Sequence, residues 1–380
     1  MAVAACATAG VILAGGVSAG LSSKTRASGP AGASAADLAY VKAQVRKFSA
    51  IPSFTPPGPA FDAKKAAGKH VFNIPFISAN AFNQIFDSTM ASVSKKYGIT
   101  FTDFQNQGQP RQWVQGMAQA RTKKADLINL MVTDPRALGP QIAQARGAGI
   151  DVVSTQHYDV TEIGRIAPGL TAAVPNGFTA AARLMADWAI WDTKGKAHIA
   201  IVMTREANFL VLMANAIKRE VARRCGSSCT VTILNVPVAT WATRMATSVQ
   251  SAMVRNPSIN YIIPLVDPMV QFVVPAITAA GKIGKVHIAT LNGTPSVLKM
   301  IRDGDIVRMD IGQNIQWLAW TTMDQIMRVL TGVKPAKASP TVMRIWTKAN
   351  VAQAGNPPTF NKGYGKAYVR GFTRLWSGRR

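Results

Sequence analysis

Residues 125–155 read ADLINLMVTDPRALGPQIAQARGAGIDVVST. Leu127 to Val132 is a short, almost continuous apolar run, the pattern of a strand covered on both faces. Asp134-Pro135 then sets a capping carboxylate before a proline suited to a first helical turn, which predicts a helix start. Gly147 and Gly149 stop that helix, and Ile150 to Thr155 is apolar again. Strand, helix and strand in so little chain require a parallel pair with a right-handed crossover.

The same alternation extends in both directions. Upstream, Val71 to Ile77 reads as a buried strand. It is followed by a helix with Phe82, Ile85, Phe86, Met90 and Val93 on one face, stopped at Tyr97-Gly98, and by a second helix from about Gln112 to Lys124. Downstream the pattern restarts with helices at about 178–191, 209–223, 241–255 and 269–280. Strands are read at 199–203, 231–236, 261–265, 286–291 and 306–311, and a last helix at 315–330. The fold class is α/β, with two successive doubly wound parallel sheets.

Composition limits the function. The 380 residues are 48 % hydrophobic, enough for two domains, and 43 Lys and Arg against 18 Asp and Glu give a net charge of +25. The cations are scattered and do not alternate with stacking aromatics, so a basic, solvated surface is the reading and no nucleic-acid partner is expected. The first 23 residues carry no charged side chain, and Val17-Ser18-Ala19 is a small-x-small site of the kind cut after a secretory leader. Export to the periplasm or cell surface is expected, with lipid attachment at Cys6 as the alternative if the true start lies upstream. Cys225 and Cys229 flank a short polar loop with no histidine beside them, which favours a disulfide over a metal site.

No catalytic constellation is present: neither a Gly-x-Ser-x-Gly elbow, nor Gly-x-Gly-x-x-Gly after the first strand, nor a P-loop, nor His-Glu-x-x-His. The chain reads as a non-enzyme with no cofactor. In open α/β sheets ligands bind beyond the carboxyl ends of the strands. Those ends carry Asn80, Phe82, Gln156, His157, Asn208, Trp241, Asp267, Asn292 and Gln313. Amides donate to and accept from hydroxyls, and aromatic faces suit the apolar side of a sugar ring. Asp134 is assigned to helix capping.

Ser78-Ala79-Asn80-Ala81-Phe82, Lys96-Tyr97-Gly98-Ile99, Ala125 to Asn129 with Thr133-Asp134-Pro135, the ARGAGIDVV of 145–153, Leu291 to Pro295 and Asp303-Gly304 together resemble the type 1 periplasmic sugar-binding proteins, the ribose-binding-protein-like group that serves ABC transporters. The resemblance implies two lobes joined by three hinge crossings that close on a ligand, and an ABC transporter permease as partner. It also implies ligand roles for Asn80, Phe82 and Gln313. This chain departs from the group where Asn292 replaces an Asp, Gln156-His157 an Asp-Arg pair, Met213 an Arg and Val266 an Asn. Charged hydrogen-bonding groups are thereby lost, so a neutral sugar, polyol or inositol other than ribose is expected, bound by a monomer. The alternatives are a LacI-type regulator, which would need a DNA-binding headpiece in place of the apolar leader, and a receptor serving a membrane signalling partner. The implied organisation is a leader at 1–26, a tether and helix at 27–68, lobe 1 at 69–170 with 314–335, lobe 2 at 171–313 with 336–355, and a basic tail at 356–380.

Overall fold

The computed structural model describes residues 32–336 and 341–378. The leader, its Val17-Ser18-Ala19 site and Cys6 lie outside them. The chain begins with helix α1 (Ala35–Ser49), capped by the Ser34 hydroxyl on the Asp37 amide. Lobe 1 follows as β1 (His70–Pro75), α2 (Ala81–Lys96), β2 (Thr100–Asp103), α3 (Pro110–Thr122), β3 (Leu127–Met131), α4 (Gly139–Gly147), β4 (Asp151–Asp159) and β5 (Ala172–Asn176). Lobe 2 contains α5 (Phe178–Asp192), β6 (His198–Met203), α6 (Asn208–Cys225), β7 (Thr230–Asn235), α7 (Trp241–Arg255), β8 (Tyr261–Pro264), α8 (Val270–Ala279), β9 (His287–Asn292), α9 (Pro295–Asp303) and β10 (Val307–Gln313). The chain then returns to lobe 1 for α10 (Ile315–Leu330), crosses again for β11 (Met343–Thr347), and ends in α11 (Ala367–Leu375).

Lobe 1 is a five-stranded parallel sheet of order β2-β1-β3-β4-β5, and lobe 2 a six-stranded sheet of order β11-β10-β9-β8-β6-β7. Only the β10–β11 pair in lobe 2 is antiparallel. The central strand β3 explains the order, because all five of its residues are buried and only a position between two helix layers removes both faces from water. Val71, Leu127, Met131 and Val153 meet α2 and α10 on one side. Phe72, Ile74, Ile128, Leu130 and Val152 meet α3 and α4 on the other. Cys225 and Cys229 are joined in a disulfide with Cα atoms 5.6 Å apart, closing the turn between α6 and β7.

The structure differs from the sequence reading at the lobe boundaries. Residues 172–176 pair with β4 in the first sheet, so the first crossing falls at Asn176-Gly177 and not at 170/171. The strand is short and interrupted by Pro175, which removed its periodic signature. Asp134 caps a short 3-10 helix at Pro135–Leu138 before α4 begins. β4 does not end at Thr155 but continues through a bulge to Asp159.

Neither terminal segment is a free tether or tail. Val41 and Val45 of α1 join the core of lobe 2. Pro52, Pro56, Pro57 and Pro59 carry the chain as a stiff strap to lobe 1, where Phe61, Ala63 and Ala66 are buried. At the C-terminus the order is the same: Tyr364 lies in the lobe 2 core, and Tyr368, Phe372, Leu375 and Trp376 lie in that of lobe 1. Trp317 stacks on Tyr368 at 4.9 Å and Trp320 on Trp376 at 5.0 Å. Five chain segments therefore join the lobes, the three crossings and these two.

The strap is pinned at both ends by buried arginines. In lobe 2, Arg344 Nε donates to Ser49 O at 3.0 Å, and Asn350 Nδ2 donates to the same oxygen at 3.2 Å. In lobe 1, Arg328 Nη2 donates to Pro59 O at 3.0 Å while its Nε pairs with Asp324 at 2.8 Å. Between the pins, the Phe54 ring lies 4.9 Å from that of Phe372 and fills the space that a side chain at Gly371 would need. Arg328 is 0 % exposed and its guanidinium lies 4.6 Å over the Phe61 ring. Burial still raises the Asp324 carboxyl above its ordinary range, against the help of Arg328 and the Trp376 indole N–H. Arg328→Met should keep the bulk but leave Asp324 without its cation, lowering the unfolding free energy in denaturant melts by about 3–5 kcal/mol.

Candidate ligand cleft and hinge

The carboxyl ends of both sheets are held at the crossings by a chain of buried side chains. Gln156 sits in the β4 bulge with φ +61°, a conformation that turns it out of the ladder. Its Nε2 donates to Thr341 Oγ1 at 2.7 Å, and its Oε1 accepts from Asn176 Nδ2 at 2.6 Å. Asn176 Oδ1 accepts from Gln313 Nε2 at 2.8 Å and from Gly177 N at 2.7 Å. Asn176, Gln313 and Thr341 belong to the first, second and third crossings, so one amide chain links all three. Gln156 and Gln313 are 5 % and 2 % exposed, and each amide nitrogen donates once within this chain.

On the lobe 1 side, Asn80 is exposed and caps α2, its Oδ1 accepting from Asn83 N at 2.7 Å. Phe82 is half-buried against the core beside α2. His157 points Nε2 at Asp134 Oδ1, 3.4 Å away, and Nδ1 at Val132 O. Burial lowers the pKa of the imidazole despite the nearby carboxylate, so it is neutral at pH 7. Asp134 therefore serves His157 and Arg136 as well as capping its helix.

Beneath these residues a polar ladder crosses the sheet. Thr155 donates to Asn129, Asn129 to Asn73, and Asn73 to both Asp103 and Asp87, over 2.7–2.8 Å. Burial, then repulsion by Asp103, pushes the Asp87 carboxyl up to about 8, so at neutral pH it keeps its proton.

Lobe 2 contributes a second cluster. The carboxylate of Asp267 accepts from Thr294 N at 2.7 Å and Thr290 Oγ1 at 3.1 Å, while Asp267 N donates to Asn292 Oδ1 at 3.3 Å. Asp310 accepts from Gly293 N at 3.1 Å. Burial first, and then the charge of Asp267, holds the Asp310 carboxyl well above its ordinary range. The two acids together hold the 292–294 loop, where Asn292 has φ +143°. Gly312 lies below it, with no room for a Cβ against Tyr364 and Trp346. Trp241 packs on its own lobe, with its indole N–H on Val236 O at 3.0 Å. Asn208 is exposed at the start of α6 and its Nδ2 approaches Glu162 Oε1 of lobe 1 at 3.4 Å, a contact across the cleft.

Two groups of sequence-predicted residues are thus brought together: Gln156 with Gln313 at the hinge, and Asp267 with Asn292 under one loop. Asn80, Phe82, His157, Asn208 and Trp241 stand apart from both. Sequence reasoning missed Asn176, Thr341, Glu162 and Asp310. Asn176-Gly177 carried a turn signal, but nothing local marked its amide as the partner of residues so distant in the chain.

The fold agrees with the comparisons. Residues 71–334 match the periplasmic binding protein domain family, and the chain belongs to it. No curated protein matches the sequence. A periplasmic ribose ABC transporter protein from Conexibacter woesei is similar at TM-score 0.67 and 18% identity, over 82% of this chain and 99% of that one. A carbohydrate transporter protein from Acidothermus cellulolyticus, solved with myo-inositol, is similar at TM-score 0.62 and 22% identity, over 76% and 97%. A solute-binding protein from Agrobacterium vitis, bound to α-D-tagatopyranose, gives TM-score 0.66 and 15% identity over 78% and 99%. At these identities the likeness is one of fold. The strap and α11 fall outside the matched family residues.

Two outcomes follow from the buried polar groups. Asn176→Ala leaves the Gln156 Oε1 and Gln313 Nε2 atoms without their Asn176 partners and should lower stability by about 1–3 kcal/mol in urea titrations. Asp87 binds its proton more tightly folded than unfolded, so its contribution is complete below about pH 4 and is lost as pH rises through about 8. Asp87→Asn should flatten the fall in unfolding free energy between those limits, measured by denaturant melts at several pH values.

Proposed function

We propose that the protein is an extracytoplasmic solute-binding protein that captures a neutral sugar, polyol or inositol between its lobes and delivers it, as a monomer, to an ABC transporter permease. The observation that carries this reading is the facing of two sets of strand carboxyl ends across a three-crossing hinge, lined by neutral amides and aromatics instead of a catalytic cluster. Family membership supports it, as do the sugars and polyols bound by proteins of the same fold.

In this reading Asn80, Phe82 and His157 face the ligand from lobe 1, and Asn208, Trp241 and Asn292 from lobe 2. Gln156 and Gln313 act through the hinge, and Asp267 acts with Asp310 by holding the Asn292 loop. A neutral His157 beside the amides of Asn80, Asn208 and Asn292 suits hydroxyl groups better than ions. A ligand touching both lobes favours the closed state by its differential affinity.

The test is a thermal-shift screen of pentoses, hexoses, polyols and inositols, in which a binder raises the melting temperature because it binds only the folded protein. Asn80→Ala and Asn292→Ala should each weaken that binder by about 1–3 kcal/mol, roughly five- to a hundredfold by isothermal titration calorimetry. Unchanged affinity in both variants would place the ligand elsewhere. A screen answered only by charged solutes would overturn the ligand class.

A further inference from the structure

We propose that the outward face of α11 docks the protein on an anionic phospholipid surface. No Asp or Glu follows Asp324 in the chain, while Lys and Arg recur to its end. The packing of α11 sorts those charges. Tyr368, Phe372, Leu375 and Trp376 are buried, and Lys366, Arg370 and Arg374, four residues apart, are exposed on the opposite side. Arg370 and Arg374 share a shallow groove with Lys64 of the 63–66 turn. Among the described residues none of these four cations has a carboxylate within ion-pair distance. The nearest acid is Asp62, which also lines that groove and accepts from Lys64 N.

The setting favours a bilayer over a nucleic acid. The helix offers a convex row of charge instead of a channel. The aromatics beside it are already stacked, Trp320 on Trp376, so they cannot receive bases. Trp320 and Tyr97 are half-buried, and the Lys96 ammonium lies within 6 Å of both rings, 5.9 Å and 5.8 Å. A helix face that carries three exposed cations and, among the described residues, no paired carboxylate matches the headgroup region of an anionic leaflet. The face is rigid as well, because Trp376 is fixed to Asp324 by its indole N–H at 2.8 Å.

The experiment is co-sedimentation with vesicles of phosphatidylcholine, alone or with about a third phosphatidylglycerol, at low and high salt. Binding is expected only to the anionic vesicles and should be lost at high salt. The triple variant Lys366→Glu, Arg370→Glu and Arg374→Glu should bind at least roughly tenfold more weakly with an unchanged melting curve. A control triple of exposed cations on lobe 2, Lys218→Glu, Arg255→Glu and Lys285→Glu, changes net charge equally and should retain binding. Equal loss in both triples would reduce the effect to net charge and overturn the proposal. Absence of binding to anionic vesicles would overturn it too. The readout does not involve the cleft ligand, so it stands apart from the solute-binding reading.

Discussion

The buried amide of Asn176 constrains the rest of this molecule. An unpaired amide in that position would cost about 1–3 kcal/mol, so the crossings must bring it partners on both sides. Gln156 supplies the acceptor and Gln313 a donor, and Thr341 satisfies the far end of Gln156. Three segments that pass between the lobes at different points are thereby held at one level. The carboxyl ends of the two sheets face each other as a consequence, and the cleft is a product of that alignment.

Around this hinge the chain adds connections that lie outside the matched family residues. The proline-rich strap and the segment leading to α11 both run from the core of lobe 2 to that of lobe 1. Arg344 and Arg328 secure the strap by its backbone carbonyls at Ser49 and Pro59. Any opening of the lobes must bend three crossings and also accommodate a strap held at both ends. Proline limits how far that strap can stretch or flex. The extra connections thus couple the outer surface to hinge motion, and they are built from ordinary core packing.

Charge is divided just as unevenly. In the interior, burial and neighbouring acids push the Asp87 carboxyl up to about 8 and raise that of Asp310 well above its ordinary range. The whole chain carries a formal net charge of +25, with few acids to offset its cations.

The sequence by itself determined the α/β class, the two repeated units and most of their strands, because burial between helix layers forces apolar runs such as Leu127 to Val132. It also placed Asn80 and Asn292 at strand ends, where local signals, a helix cap and an Asn-Gly turn, mark them. It missed β2, β5 and β11, whose few residues carry no clear periodicity, and it read the C-terminal segment as a basic tail. Only the tertiary structure decided that Tyr368 and Trp376 fill a core and that Asp310 shares its site with Asp267. The pairing of Gln156 with Asn176 and Thr341, residues of two different crossings, was decided there too. Local pattern records which faces avoid water. It does not record which distant polar group will satisfy a buried amide or share a proton, since that depends on where the chain returns.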